Sequence, residues 1–249
     1  MKQKLLSIAI LCVFCLYNSH MASAAAGHKD RPQHPPVQQE DAGRLLADKA
    51  AQEPISFTPE ELQQQAAAAI AYEEAVTVPQ EAEIFQQLGI QVNNPQLVYG
   101  PLDLRFRTDG IVIHHTATPT GHDWSAQEIH EMHLKNGWSG FGYHFEVHPD
   151  GSIDKGRPLH TMGAQAEHHN DHTVGICLSG NFEFQQPSQA QLASAARLTA
   201  AVCQIYGIKP GFATIKGHYQ FNSTLCPGRF LKQQLPYIRI NASKLLKNK

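Results

Sequence analysis

GIVIHHTA, running from Gly110 to Ala117, is a short aliphatic run that follows Asp109 and ends in two adjacent histidines. A run of β-branched residues entered from an Asp-Gly pair reads as a buried strand. Polar rings on a buried strand need a partner, because an unsatisfied polar group in an apolar setting is costly. Successive strand side chains point to opposite faces. His114 and His115 therefore cannot easily serve one ion together, and the pattern alone does not choose between them.

Outward from this strand, the segments alternate in type. SAQEIHEMHLKNGW reads as a helix with Ser125 as its cap and Glu128 three residues on, a capping-box pattern. FGYHFEVHPDGSI reads as a hairpin turning at Pro149-Asp150-Gly151, HTVGICLSG as another buried strand, and FATIKGH as a short one. PSQAQLASAARLTAAVCQIYGI reads as a long helix starting after Ser188. RFLKQQLPYIRI looks helical at first, with Pro236 expected to break or kink it. Strands mixed with helices give an α/β domain around a central sheet.

A second segment, GHYQFNSTLCPGRF (Gly217 to Phe230), holds His218 and, eight positions later, Cys226 before Pro-Gly. Catalytic zinc takes three protein ligands and leaves a fourth position open, whereas structural zinc takes four. Apart from Cys12 and Cys15 near the N-terminus, no C-x-x-C pair accompanies these two residues. One more donor would complete a catalytic set, and the histidine-ended strand is the best source of it.

These segments, together with GRPL and GAQAEHHNDHTVGICLSGNF, occur in an order that resembles the zinc-dependent N-acetylmuramoyl-L-alanine amidases, the group that includes phage T7 lysozyme and the animal peptidoglycan recognition proteins. The resemblance spans roughly 105 to 231. It implies a central mixed β-sheet flanked by helices; the preceding residues, which it does not cover, read from their own pattern as a partly helical N-terminal extension. It implies zinc held by His114, His218 and Cys226, and catalytic roles for Tyr143 in GYHF and for Thr224, two residues before the cysteine. Some relatives carry lysine at the latter place. Threonine offers a hydroxyl there but no positive charge. Asn170 falls in the loop implied to contact the peptide stem, and Trp138 would either line a sugar groove or only pack. The implied reaction is hydrolysis of the amide between N-acetylmuramic acid and L-alanine, with peptidoglycan or muropeptides as partners. The family commonly reads G-A-H-A where this chain has Gly163-Ala164-Gln165-Ala166, so any role of that histidine is altered here. The cytoplasmic branch resembles the chain less, since it has aspartate for the cysteine ligand and a carboxylate where Cys177 stands.

The remaining histidines have plainer readings. His115 is expected to hydrogen-bond in the core or behind the ligands. His130 and His133 share a helix face, but HEMH is not the H-E-x-x-H zinc motif. His133 is expected beneath the Gly137-Trp138 loop, and His168, His169 and His172 on a solvated loop.

The ends of the chain bear on where it works. Lys2 and Lys4, an apolar run from Leu5 to Tyr17, and Ala22-Ser23-Ala24 read as a secretory signal peptide over 1–24. The run is too short to span a membrane. Leu11 and Phe14 stand where a lipoprotein signal would place small residues before Cys12 or Cys15. Removing the leader takes two lysines and no acid from a chain of 20 basic and 22 acidic residues, moving its net charge from −2 to −4. A basic stripe for nucleic acid is absent. Cys177, Cys203 and Cys226 remain, an odd number, so at least one lacks an intramolecular partner in an oxidising compartment. Cys177 and Cys203 could pair or simply fill space. Residues 25–95 read as a polar linker and helical extension, with helices at Pro59 to about Val76 and over QEAEIFQQLG, the latter stopping at Gly89. Whether these helices pack or only space is left open. Residues 96–249 form the expected amidase domain, a monomer exported to a periplasm or secreted. Two other functions fit parts of the pattern. A non-catalytic peptidoglycan receptor on the same fold would be expected to lack the cysteine ligand, and a Cys-His peptidase would use Cys226 as its nucleophile and survive metal removal.

Overall fold

The computed structural model describes residues 78–119 and 122–247. The leader, the polar linker and the helix expected at Pro59 lie outside the described residues. A five-stranded mixed sheet organises the rest, in the order β3-β2-β4-β1-β5. The strands are β1 (Gly110–His115), β2 (Phe145–Val147), β3 (Ile153–Lys155), β4 (Thr173–Leu178) and β5 (Ile215–Gly217). β1 lies parallel to both β4 and β5, β2 lies parallel to β4, and only the β2–β3 hairpin is antiparallel. All six residues of β1 and all six of β4 are buried, as expected for parallel strands covered on both faces.

One face of the sheet carries the apolar core. Ile111, Ile113, Phe145, Val147, Ile176 and Leu178 pack there with residues of the two long helices, α3 (Gln189–Ile205) and α4 (Arg229–Lys247). Ser188 caps α3 and forms the reciprocal capping box with Gln191. The helix α4 continues through Pro236, so the expected break is not seen. Leu231, Leu235, Ile238 and Ala242 form a buried stripe that holds both halves against the core. Pro236 itself is exposed, so the carbonyl it leaves without a helical donor can be met by water.

The question of packing or spacing is answered for the short N-terminal helix α1 (Val78–Gln87). Ile84, Phe85, Leu88 and Ile90 join the core, and Phe85 meets Phe145 edge-on at 5.9 Å. Gly89, at φ +62°, ends the helix as expected.

On the opposite face sits α2 (Ala126–Lys135), capped by Ser125 and Glu128 in the expected box. Its Ala126 and Ile129 form a small cluster with Phe141, with Tyr99, Trp124 and Tyr143 packed around it. No helix among the described residues is long and apolar enough to cross a membrane.

Candidate metal centre

The register of the sheet explains how distant residues converge. Ile113 of β1 pairs with Gly217 of β5, so His114 and His218 leave adjacent parallel strands side by side. Their rings stand 4.6 Å apart, centroid to centroid. His218 opens a 3₁₀ turn, His218–Gln220, and the N–H of Tyr219 in that turn donates to the carbonyl of Cys226 at 2.9 Å. That bond ties the loop bearing the cysteine to the loop bearing the second histidine. The Pro-Gly after the cysteine is also required by space. Gly228 has φ +87°, and a Cβ there would stand 2.4 Å from the backbone of Phe182. Phe230 N–H donates to the Phe182 carbonyl at 3.0 Å and completes the docking.

The side chains of His114, His218 and Cys226 thus bring one donor atom each to within 4.8 Å of one another. Nδ1 of His114 lies 3.5 Å from Sγ of Cys226. Zinc–sulfur and zinc–nitrogen bonds of about 2.3 and 2.0 Å at a tetrahedral angle give a donor separation of about 3.5 Å. Two imidazoles and a thiol with this spacing fit a zinc ion. No other group of three or more such side chains is found among the described residues. His115 faces the other way, with Nδ1 accepting the N–H of Phe182 at 3.1 Å, while its own N–H reaches Sγ of Cys226 at 3.4 Å. The strand's second histidine supports the site through its backbone.

The surroundings keep these groups uncharged in the absence of an ion. Burial, then the positive charge of a protonated His218, pushes His114 down to about 3. Burial lowers His218 as well. Burial also pushes the Cys226 thiol up to about 12, against the pull of the His115 N–H and Lys232. Neutral imidazoles are the form that binds a metal, and the thiol gives up its proton on binding.

Tyr143 stands beside the donors, its ring 5.1 Å from that of His114. Its hydroxyl shares a hydrogen bond with the sulfur of Cys177, and burial, then the charges that Cys177 and Cys226 would carry as thiolates, raises it well above the usual phenol range. Oγ1 of Thr224 accepts the N–H of Cys226 at 3.1 Å, which leaves its proton free to point elsewhere. Trp138 is 45% exposed over His133, whereas Phe141 is fully buried and packs. His133 accepts the Gly142 N–H at 3.1 Å beneath that loop, as expected. Oδ1 of Asn170 accepts the backbone N–H groups of Gln165 and Ala166, so its oxygen is committed to shaping the loop. Cys177 and Cys203 are free thiols, buried as fillers and not paired.

Two amides complete the arrangement. Gln165 Oε1 meets Nε2 of His114, and Oδ1 of Asn222 meets Nε2 of His218 at 3.0 Å. In the sequence Gln165 stands out only as a departure from G-A-H-A, and the one signal for Asn222 is its i+4 spacing from His218.

A model of the family described as N-acetylmuramoyl-L-alanine amidase matches residues 105–229, half of the chain. The chain belongs to the N-acetylmuramoyl-L-alanine amidase family. The endolysin of Escherichia phage T7 is similar at 28% identity over 131 residues, covering 52% of this chain and 86% of the endolysin. Among solved structures, the amidase endolysin LysCS from Clostridium intestinale is similar at 30% identity and a TM-score of 0.54, over 59% of this chain and 93% of that one. A Drosophila PGRP-LB mutant in complex with tracheal cytotoxin is similar at 27% identity and a TM-score of 0.52, over 58% and 92% of the two chains. The matched part of this chain contains every residue of the donor set.

Proposed function

We propose that this chain is a zinc-dependent amidase that hydrolyses the bond between N-acetylmuramic acid and L-alanine in peptidoglycan, working outside the cytoplasm. The convergence of His114, His218 and Cys226 is the observation that carries the reading. Bound there, zinc supplies a Lewis acid for the amide carbonyl and lowers the pKa of water to about 7. Two neutral imidazoles and one thiolate leave that centre with a net positive charge.

The protein's own groups then act around the carbonyl. Tyr143 keeps its proton across the working range, so its O–H is available to turn from Cys177 to the carbonyl oxygen as negative charge builds there. Thr224 can donate its hydroxyl proton on the side of Cys226, because its oxygen is already held by the Cys226 N–H. Trp138 offers an exposed ring to a sugar face, and Asn170 keeps its amide nitrogen for the peptide stem. The signal-type N-terminus supports export, with peptidoglycan or released muropeptides as substrate.

Recognition without turnover is the second reading, favoured by the likeness to a recognition protein solved with tracheal cytotoxin. The complete donor set argues for turnover, since pure recognition has no need of Cys226.

Digestion of purified peptidoglycan with and without chelator, followed by mass analysis, tests the proposal. Free stem peptides beginning in L-alanine are expected, and only without chelator. No release overturns the catalytic reading, and release that survives chelation moves the chemistry to a Cys226 nucleophile. Cys226→Ala and His218→Ala are each expected to lose zinc and activity together.

A further inference from the structure

We propose that the carboxamides of Gln165 and Asn222 are positioning residues that fix both histidine ligands in one tautomer, each with Nδ1 bare for the metal. The inference rests on the metal centre proposed above and goes beyond its ligand set.

The orientation of Gln165 follows from its hydrogen-bond chain. The carbonyl of His169 can only accept, and Oγ1 of Thr173 lies 2.6 Å from it, so the threonine proton goes there. Oγ1 can then only accept from Gln165, which lies 2.9 Å away and must present its NH2 group. The amide oxygen is therefore the atom that faces His114, and Nε2 of that ring must carry the proton. A neutral imidazole has one proton, so Nδ1, the nitrogen beside Cys226, keeps its lone pair.

Asn222 repeats the logic. Its Nδ2 donates to the Glu167 carbonyl at 3.2 Å, which turns Oδ1 toward Nε2 of His218. Nδ1 of His218 is again the free nitrogen. Metal-binding imidazoles are usually steadied by a partner on the far nitrogen, and loss of that partner weakens metal affinity by about 10–100-fold.

The fold makes room for Gln165. A Cβ on Gly163 would stand 2.9 Å from its Cγ, and one on Gly175 would stand 2.8 Å from the same atom. Two glycines leave a slot through which the side chain reaches the ring. Gln165 is a neutral amide that cannot titrate and adds no charge to the centre.

The test is zinc affinity of the full chain, measured by competition with a chromophoric chelator and without substrate. Gln165→Leu removes the acceptor at similar volume and is expected to weaken zinc by about 10–100-fold, with the circular dichroism unchanged. Gln165→Glu restores an acceptor and is expected to bind at least as tightly as wild type. Asn222→Leu and Asn222→Asp should behave as the parallel pair. Should a leucine variant fail to fold, the corresponding alanine variant replaces it. Wild-type affinity in both acceptor-free variants overturns the inference, and so does weakness of the Glu and Asp variants equal to that of the acceptor-free ones. Failure of the wild-type protein to bind zinc overturns the metal centre itself, a result the comparison keeps separate.

Discussion

Tyr143 is the residue on which binding and chemistry can be separated. It touches no donor atom through its hydroxyl, which rests on Cys177, yet its ring lies against His114. Tyr143→Phe keeps the ring and loses only the O–H. Zinc content should stay at the wild-type value while kcat falls by about 10²–10³, the usual loss for one donor to a developing oxyanion. Metal analysis beside kcat on a muropeptide checks this, and an unchanged kcat removes Tyr143 from the mechanism. Thr224 gives a smaller contrast. Thr224→Ser retains an oxygen for the Cys226 N–H and should keep both zinc and rate, whereas Thr224→Val should lower kcat and leave that N–H unmet.

At the scale of elements, β2 carries an unusual feature. Glu146 is fully buried, and neither carboxylate oxygen has a hydrogen-bond partner among the described residues. Burial raises it to about 8, opposed by His148 and aided by Asp154, Asp123 and Glu128. A carboxyl whose folded pKa lies above its ordinary value of about 4.5 makes the folded state bind the extra proton. Stability is then lost as pH rises from about 4.5 to about 8. Glu146→Gln should match wild type near pH 5 and exceed it near pH 8, by up to about 4 kcal/mol. Urea midpoints at the two pH values decide it, and a gap that does not widen means the carboxyl is not held neutral. Most elements were legible in the sequence because their signals are local: Ser125 and Ser188 as caps, Asp150-Gly151 as a turn, aliphatic runs for β1 and β4. Pro236 misled because its cost is local, while the stripe from Leu231 to Ala242 that outweighs it acts through tertiary packing. The ligands were found through motif order. The parts of Gln165 and Asn222 were not, because an amide's task depends on which neighbours fix its two ends: Thr173, where the same loop enters β4, for Gln165, and Glu167 in a distant segment for Asn222.

Across the whole molecule, the sheet divides two tasks between its faces, because neighbouring residues of a strand point opposite ways. Phe145 faces the core while Glu146 shares the opposite face with Cys177 and His114, and Ile113 and His114 divide the same way two strands over, across β4. Stability and metal binding should therefore separate by mutation. The helix α1 gives the sharpest case, since it lies in the extension expected over 25–95, ahead of the expected domain, yet supplies core residues. Phe85→Ala removes a ring that is 7% exposed and packed on Phe145. It should cost about 3 kcal/mol, and lower the melting temperature by about 6–12 °C for a unit of this size. Zinc affinity at a temperature where the variant is folded should stay within about twofold of wild type, because Phe85 meets the core face and none of the ligands. Gln165→Leu should show the reverse, with little change in melting of the metal-free chain and a large change in zinc affinity. Weakened zinc binding by the folded Phe85→Ala protein would mean that α1 shapes the metal centre through the sheet, and the division of labour between the two faces would fail.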